Sequence, residues 1–212
     1  MQQPQWYAPP GAGPGAPYPD QGQSSDVMLE PGGFGIRAVA HFVDIVVTLI
    51  AAFISGAIGG IFVAILAGAG VVSAGWEQRI GASSALTVLL GLVASLAYHA
   101  FSEAFGGATL GKAICGLRVL TERREPCTLG KAIGRNLAYY IDAMFFGLIA
   151  WTSMSKSPFL QRYGDKWAGT IVIHSRSAAA QGMTMRSPAL GIVIGVVAYG
   201  AIQVLTVIIK GL

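Results

Sequence analysis

Arg37 and Asp44 stand seven residues apart in RAVAHFVD, and Arg135 and Asp142 repeat that spacing in RNLAYYID. Each pair opens a long apolar run. Seven residues are two turns of helix, roughly 10 Å of rise, so the members of each pair share one helix face. A carboxylate carried into hydrocarbon is costly, about 2.5–3.5 kcal/mol for an Asp at the centre of a transmembrane helix. Such a group needs a partner, water or a proton, and is a functional candidate for that reason. The chemistry within its reach is proton exchange or coordination of a small cation. The plainer reading is a hydrogen bond to another helix that fixes packing. His41 lies three positions before Asp44 and points to the same side, where it either relays protons or is a satisfied interfacial histidine. His99 and Glu103 fall at i and i+4 on one face of the next apolar run. Asp165, in RYGDKWAGT, either caps the turn that follows or pairs with Arg37 or Arg135. The ordinary role of Arg37 is an anchor whose side chain snorkels to the headgroups. The sequence offers no nucleophile–base pair and no Cys/His cluster of metal-ligand spacing, so neither an enzyme nor a bound metal or other cofactor is expected.

The elements that hold these residues must be built for lipid. Of the 212 residues, 53% are hydrophobic and only 11% charged, against about a quarter charged in a soluble domain. Mean hydropathy is +0.59. Apolar runs extend over residues 38–72, 85–105, 136–154 and 188–209. The first is too long for a roughly 30 Å hydrocarbon core, so it ends near Leu66 or tilts and kinks within ISGAIGG. Gly56 and Gly60 there form a small-xxx-small pair suited to a close helix crossing. Trp76 is placed as an interfacial anchor. The start, rich in Pro, Gly and Gln with Trp6, Tyr7 and Tyr18, reads as a disordered tether without a cleavable signal peptide. Cys115 and Cys127 are expected as free thiols if their loop is cytosolic.

Net charge is +4, but the placement of Lys and Arg matters more than the sum. Basic residues flank both ends of the run at 136–154, which conflicts with a simple crossing. A re-entrant hairpin or a membrane-surface helix removes the conflict, with Gly147 as the turn. If the β-type stretches GLRVL and GTIVI pair, both flanks share one face of the membrane. TLGKAI occurs at Thr109–Ile114 and again at Thr128–Ile133, read as a Thr cap, a Lys at the headgroups and an apolar Ala-Ile. Gly106 to Lys112 matches the letters of a phosphate-binding loop, which also requires Ser or Thr next and a strand before. Ala113 follows and an apolar helix precedes, so these glycines are read as ending that helix.

Three elements in order resemble the RDD family of bacterial membrane proteins: R-x-x-A-x-x-x-D (Arg37, Ala40, Asp44), a G-x-T-x-G-K segment running into GLRV (Gly107 to Val119), and an Asp before AGT and a β-type run (Asp165, Ala168 to Ile173). By position, Arg37, Asp44 and Asp165 are the naming residues. The family commonly has His before the closing Asp, where this chain has Gly164. The resemblance covers roughly residues 32 to 175. It implies a multi-pass membrane architecture and, because some members are linked to cation/proton antiport, proton-coupled transport of small cations. In that reading Asp44 is the exchangeable carboxylate, Arg37 and Asp165 a cytosolic gate pair, and Asp142 a secondary site. The alternative is a non-catalytic accessory or scaffold protein that recruits a partner.

The expected fold is all-α integral membrane: a helical bundle with about three spanning helices, one re-entrant or amphipathic membrane segment and a small cytosolic β-type element. Residues 1–33 form the tail, 34–175 the RDD-like membrane domain, 176–187 a linker and 188–212 an additional transmembrane helix. The expected place is the cell (plasma or inner) membrane with a cytosolic N-terminus. The C-terminus lies outside if the third segment is re-entrant and inside if it spans. Expected partners are the lipid bilayer, protons and monovalent cations, and a second copy or another membrane protein, but no nucleic acid.

Overall fold

The computed structural model describes residues 29–81, 84–144, 147–183 and 185–212, except for the side chains of 142–144. The tether expected at the N-terminus, with Trp6, Tyr7 and Tyr18, therefore lies outside the described residues up to position 28. Its last five positions are ordered, contrary to expectation. Pro31 bridges Ile173, the Gly32 amide donates to the Val172 carbonyl at 2.9 Å, and Leu29 is buried.

Three helices are long and apolar enough to cross a membrane: α1 (Phe34–Gly68), α3 (Ala85–Gly106) and α9 (Pro188–Gly211). Their outer faces are apolar and open, and Phe53 is 80% exposed, an exposure that makes sense only in lipid. Helix α1 runs unbroken through ISGAIGG to Gly68. Ser84 caps α3 by accepting from the Thr87 amide at 3.2 Å, and Gly107, at φ +69°, ends it in the left-handed conformation. Pro188 opens α9 and Lys210 lies in its last turn, each where the helix ends favour it.

Small residues set the helix seams. A Cβ on Gly191 would lie 2.6 Å from the Gly106 Cα and from the Ser102 carbonyl oxygen, and one on Gly195 would lie 2.7 Å from the Tyr98 carbonyl oxygen. Gly59 packs on Val207 and Gly211 on Val63. The close crossing expected at Gly56 and Gly60 is absent, since nothing lies within 4 Å of a Cβ at either position. The face of α1 that meets α9 is the one carrying Gly59.

Between α3 and α9 the chain makes a polar layer at one end of the bundle. It comprises α4 (Leu110–Ile114), β1 (Leu117–Thr121), α5 (Leu129–Met144), α6 (Leu148–Ser155), α7 (Tyr163–Ala168), β2 (Thr170–His174) and α8 (Ser175–Ala180). The short helix α2 (Trp76–Gly81) lies at the opposite end, where the Arg79 guanidinium donates to the Gly211 carbonyl at 2.9 Å. Strands β1 and β2 pair antiparallel, from Leu117 opposite His174 to Thr121 opposite Thr170. That pairing puts both ends of the α5–α6 segment on one side, so the segment enters and leaves by the same face. Gly147, at φ +76°, starts α6. Helix α5 meets α3 at Glu103 through Arg135 and Asn136, and at Leu92 through the Tyr140 hydroxyl, 2.8 Å from that carbonyl. Eleven residues of helix are about 16 Å, so α5 slants down the side of α3 rather than crossing. Leu129, Ile133, Leu137 and Ile141 form its exposed stripe, the mark of an amphipathic membrane segment.

Candidate functional site

The charged residues of this layer form one buried chain. Asp165 accepts from the Arg37 guanidinium at 2.7 Å on one oxygen and from two Arg135 nitrogens, at 2.8 and 3.2 Å, on the other. Its first oxygen also accepts the Arg162 amide at 3.2 Å, so Asp165 both caps α7 and pairs with both arginines. Arg135 reaches on to Glu103 at 3.1 Å, and Lys112 pairs with the other oxygen of Glu103. Asn136 completes the set with a 2.9 Å bond to Glu103. All five ionised side chains are at least nine-tenths buried. Unpaired, each would carry a desolvation penalty of several kcal/mol. The alternation Arg37–Asp165–Arg135–Glu103–Lys112 leaves none of them unpaired.

Burial alone would raise the Asp165 carboxyl, but Arg135 and Arg37 hold it well below the usual carboxylate range. Burial would lower Arg135, and Glu103 and Asp165 together hold it above its ordinary value. Lys112 is lowered by burial, an effect that Glu103 partly opposes.

Asp44 is held differently. One oxygen accepts from the Tyr98 hydroxyl and the Gly111 amide, each at 2.8 Å, and the other from the Thr109 hydroxyl at 2.6 Å. The Leu110 amide in turn donates to the Tyr98 oxygen at 3.2 Å. All three donors to Asp44 are neutral. Asp44 therefore docks the start of α4 onto α1. The close approach requires glycine at 111: a Cβ there would sit on the Ala40 carbonyl, 2.8 Å from its carbon and 3.0 Å from the Asp44 carboxyl carbon. This gives TLGK its physical content. Thr109 and Gly111 serve Asp44, and Lys112 serves Glu103. The second TLGKAI works otherwise: Lys131 donates to the Ala168 carbonyl at 2.8 Å, at the end of α7, and nothing lies within 4 Å of a Cβ on Gly130.

Two expectations are corrected here. Arg37 and Lys112 do not snorkel to headgroups. Arg37 is 3% exposed and also donates to the Gly32 and Val172 carbonyls, at 2.8 and 3.3 Å, while Lys112 is buried on Glu103. Arg37 finds its carboxylate 128 residues away, and Lys112 finds one nine residues back on α3. His41 bonds the Tyr139 hydroxyl at 2.6 Å and stacks on His99 at 5.8 Å between ring centroids. His99 meets the Tyr98 ring edge-on at 5.0 Å. The side chain of Asp142 lies outside the described residues.

These groups wall one cleft between α1, α3, α5 and α7. From the polar layer at Arg162 and Asp165 it passes His41, His99 and Asp44 and reaches Ser95 and Tyr140 beside α3. Tyr98, Gly111, Asn136 and Tyr139 are site residues that sequence reasoning did not single out, while Thr109, which does cap α4, and Lys112 were read only as a helix cap and a headgroup contact. The repeated TLGK was the available signal for Gly111. Cys115 and Cys127 are free thiols, and among the described residues no His/Cys/Asp/Glu group is arranged to hold a metal ion.

The model of the RDD family matches residues 31–169. The chain is also 32% identical over 124 residues to the uncharacterized protein YxaI of Bacillus subtilis (strain 168), an alignment covering 56% of this chain and 82% of that protein. No solved structure matches.

Proposed function

This chain belongs to the RDD family of membrane proteins, and from that premise we propose that it exchanges protons for small monovalent cations at Asp44. The observation behind the proposal is the nature of the donors. Glu103 and Asp165 are neutralised by Lys112, Arg135 and Arg37, whereas Asp44 lines the same cleft with only hydroxyls and an amide on it. A carboxylate without an ion-pair partner is free to be neutralised by a proton or a cation. The Tyr98 and Thr109 oxygens keep lone pairs with which to help hold that cation. His41, bonded to Tyr139 and stacked on His99, is assigned the route for the proton. The five-charge chain then serves as the rigid frame of the site rather than a gate. No covalent chemistry is assigned.

Basic residues orient the protein. Of 14 Lys and Arg, 12 lie at the end that holds the sheet, and Arg79 and Lys210 lie at the other. The positive-inside rule makes the sheet end cytosolic. The N-terminus is then inside, the C-terminus outside, and the cell membrane the place of work. Three spanning helices are few to enclose a whole pathway, so the exchange is assigned to a homo-oligomer or to a complex with another membrane protein.

A scaffold role has its own support, because every oxygen of the three carboxylates already accepts a hydrogen bond. Proteoliposomes separate the readings. A sodium or potassium gradient should drive proton flux with the wild-type chain and not with Asp44→Asn, which keeps a carbonyl oxygen for Tyr98 and Gly111. Equal flux in both removes Asp44 as the exchanging carboxylate, and none in either removes transport and leaves the scaffold.

A further inference from the structure

The polar layer carries a surface that neither the cleft nor the spanning helices explain. Leu148 and Trp151 on α6, Phe159 in the following loop, and Tyr163 and Trp167 on α7 all point outward, Trp167 with 76% exposure. On α7 the opposite face is the buried one: Gly164 fits against the Arg135 carbonyl of α5, and Asp165 enters the charge chain. Aromatic side chains of this size are seldom left to water in such number. They are at home at the headgroup level, where an apolar body and a polar edge are both satisfied.

The height of this surface is fixed by its contacts. A Cβ on Gly147 would lie 3.6 Å from the Phe34 ring, and Asp165 is paired with Arg37. Both Phe34 and Arg37 belong to the first turn of α1, where the open apolar face of that helix begins. The α6–α7 face is therefore level with the edge of the hydrocarbon.

Its charge decides the occupant. Residues 148–168 carry Lys156, Arg162 and Lys166 against the single acid Asp165, which is buried and already paired. Lys156 and Lys166 are exposed. Lys166 donates to the Ser153 carbonyl at 3.3 Å, tying α7 to α6, and lies 5.7 Å from the Tyr163 ring centre. The neighbouring turn after β1, with Glu122, Arg123, Arg124 and Glu125, is by contrast charge-balanced. We infer that the outer face of α6 and α7 binds the anionic phospholipid headgroups of the leaflet in which α1 begins. The aromatics seat in the interface, and Lys156 and Lys166 select phosphates that bring a net negative charge.

The test uses the full chain with Trp167 as its only tryptophan, the other three (Trp6, Trp76 and Trp151) being replaced by Phe. It is reconstituted in mixed phosphatidylcholine and phosphatidylglycerol, with bromine on the acyl chains of one lipid or the other. Brominated phosphatidylglycerol should quench Trp167 more strongly than brominated phosphatidylcholine. The preference should fall about five-fold with each of Lys156→Gln and Lys166→Gln, and high salt should weaken it. A chain retaining only Trp76, at the opposite end of the bundle, should show no preference between the lipids. Equal quenching of Trp167 by both lipids overturns the inference. Quenching by neither overturns it too, and means that water or a second copy of the chain covers the face. If the single-tryptophan chain does not fold, the same decision is read from the wild type. Phosphatidylglycerol should co-purify with it and be depleted in Lys156→Gln/Lys166→Gln, and equal recovery sinks the idea.

Discussion

Gly111 and Gly130 occupy the same position in the two copies of TLGKAI, and the same substitution at each should act in opposite directions. Gly111→Ala drives a methyl group into the Ala40 carbonyl. Neither partner is the flexible end of a side chain, so α4 must back away from α1. Overpacking of this kind costs about 1–3 kcal/mol. The retreat also stretches the Gly111 and Thr109 bonds to Asp44, and hydrogen bonds to a charged group contribute about 1.5–3 kcal/mol each. A total near 4 kcal/mol corresponds to a fall of about 10 °C in Tm for a chain of this size. Gly130→Ala meets open space in a helix, where Ala is favoured over Gly by about 0.5–1 kcal/mol, so its Tm should rise by about 2 °C. Cys127 supplies the assay. It is 1% exposed, and burial pushes its thiol up to about 11, so it stays silent until the fold opens. In a Cys115→Ala background, the fluorescence of a thiol-reactive dye against temperature reports global unfolding of the detergent-purified protein. Equal shifts for the two variants, or an unchanged Tm for Gly111→Ala, would refute the assignment of the first copy as the α1–α4 joint.

Acid stability should follow Asp165. Its carboxyl is held below the usual range, so its contribution is fully present above about pH 4 and is lost as pH falls through the lower, folded value. The wild-type Tm should drop in strong acid, and Asp165→Asn should be less stable at neutral pH with a shallower acid limb. An equally steep limb in that variant would remove Asp165 as its source. For topology, single cysteines at Arg124 and Lys156 should be labelled from one side of the membrane and a cysteine at Glu77 from the other. Labelling at Lys156 from the Glu77 side would contradict the paired strands.

The membrane class, the three spanning helices and the β-type pair were legible because each rests on a local pattern, either an apolar run of bilayer length or a short β-branched stretch. The Asp165 pairing was legible as one of two options, and both hold at once. Side-chain destinations were less legible. Arg37 looks like a snorkelling anchor when only its neighbours are considered, because its partner is 128 residues away. Gly56 and Gly60 fit a packing motif, but the rotation of α1 about its axis, which no motif encodes, presents Gly59 to α9 instead. Lys112 stood in a quoted repeat, yet identical letters lead to a buried ion pair in the first copy and a helix-end cap in the second. The difference is made by what the fold sets opposite each copy.

The charge chain also imposes an order on biosynthesis. Arg37 emerges from the ribosome 128 residues before Asp165, and at about 5–20 residues per second the interval is roughly 6–26 s. During that time Glu103, Lys112 and Arg135 are made, so that three cations of the layer share one carboxylate, and α1 and α3 have already entered the bilayer. The layer cannot close until Asp165 arrives, so the nascent chain must keep its first arginines hydrated at the membrane surface. Asp165 is then the last fastener of the assembly, and a chain that stalls before it leaves the Arg37 guanidinium without its carboxylate, a chemical label of an unfinished molecule.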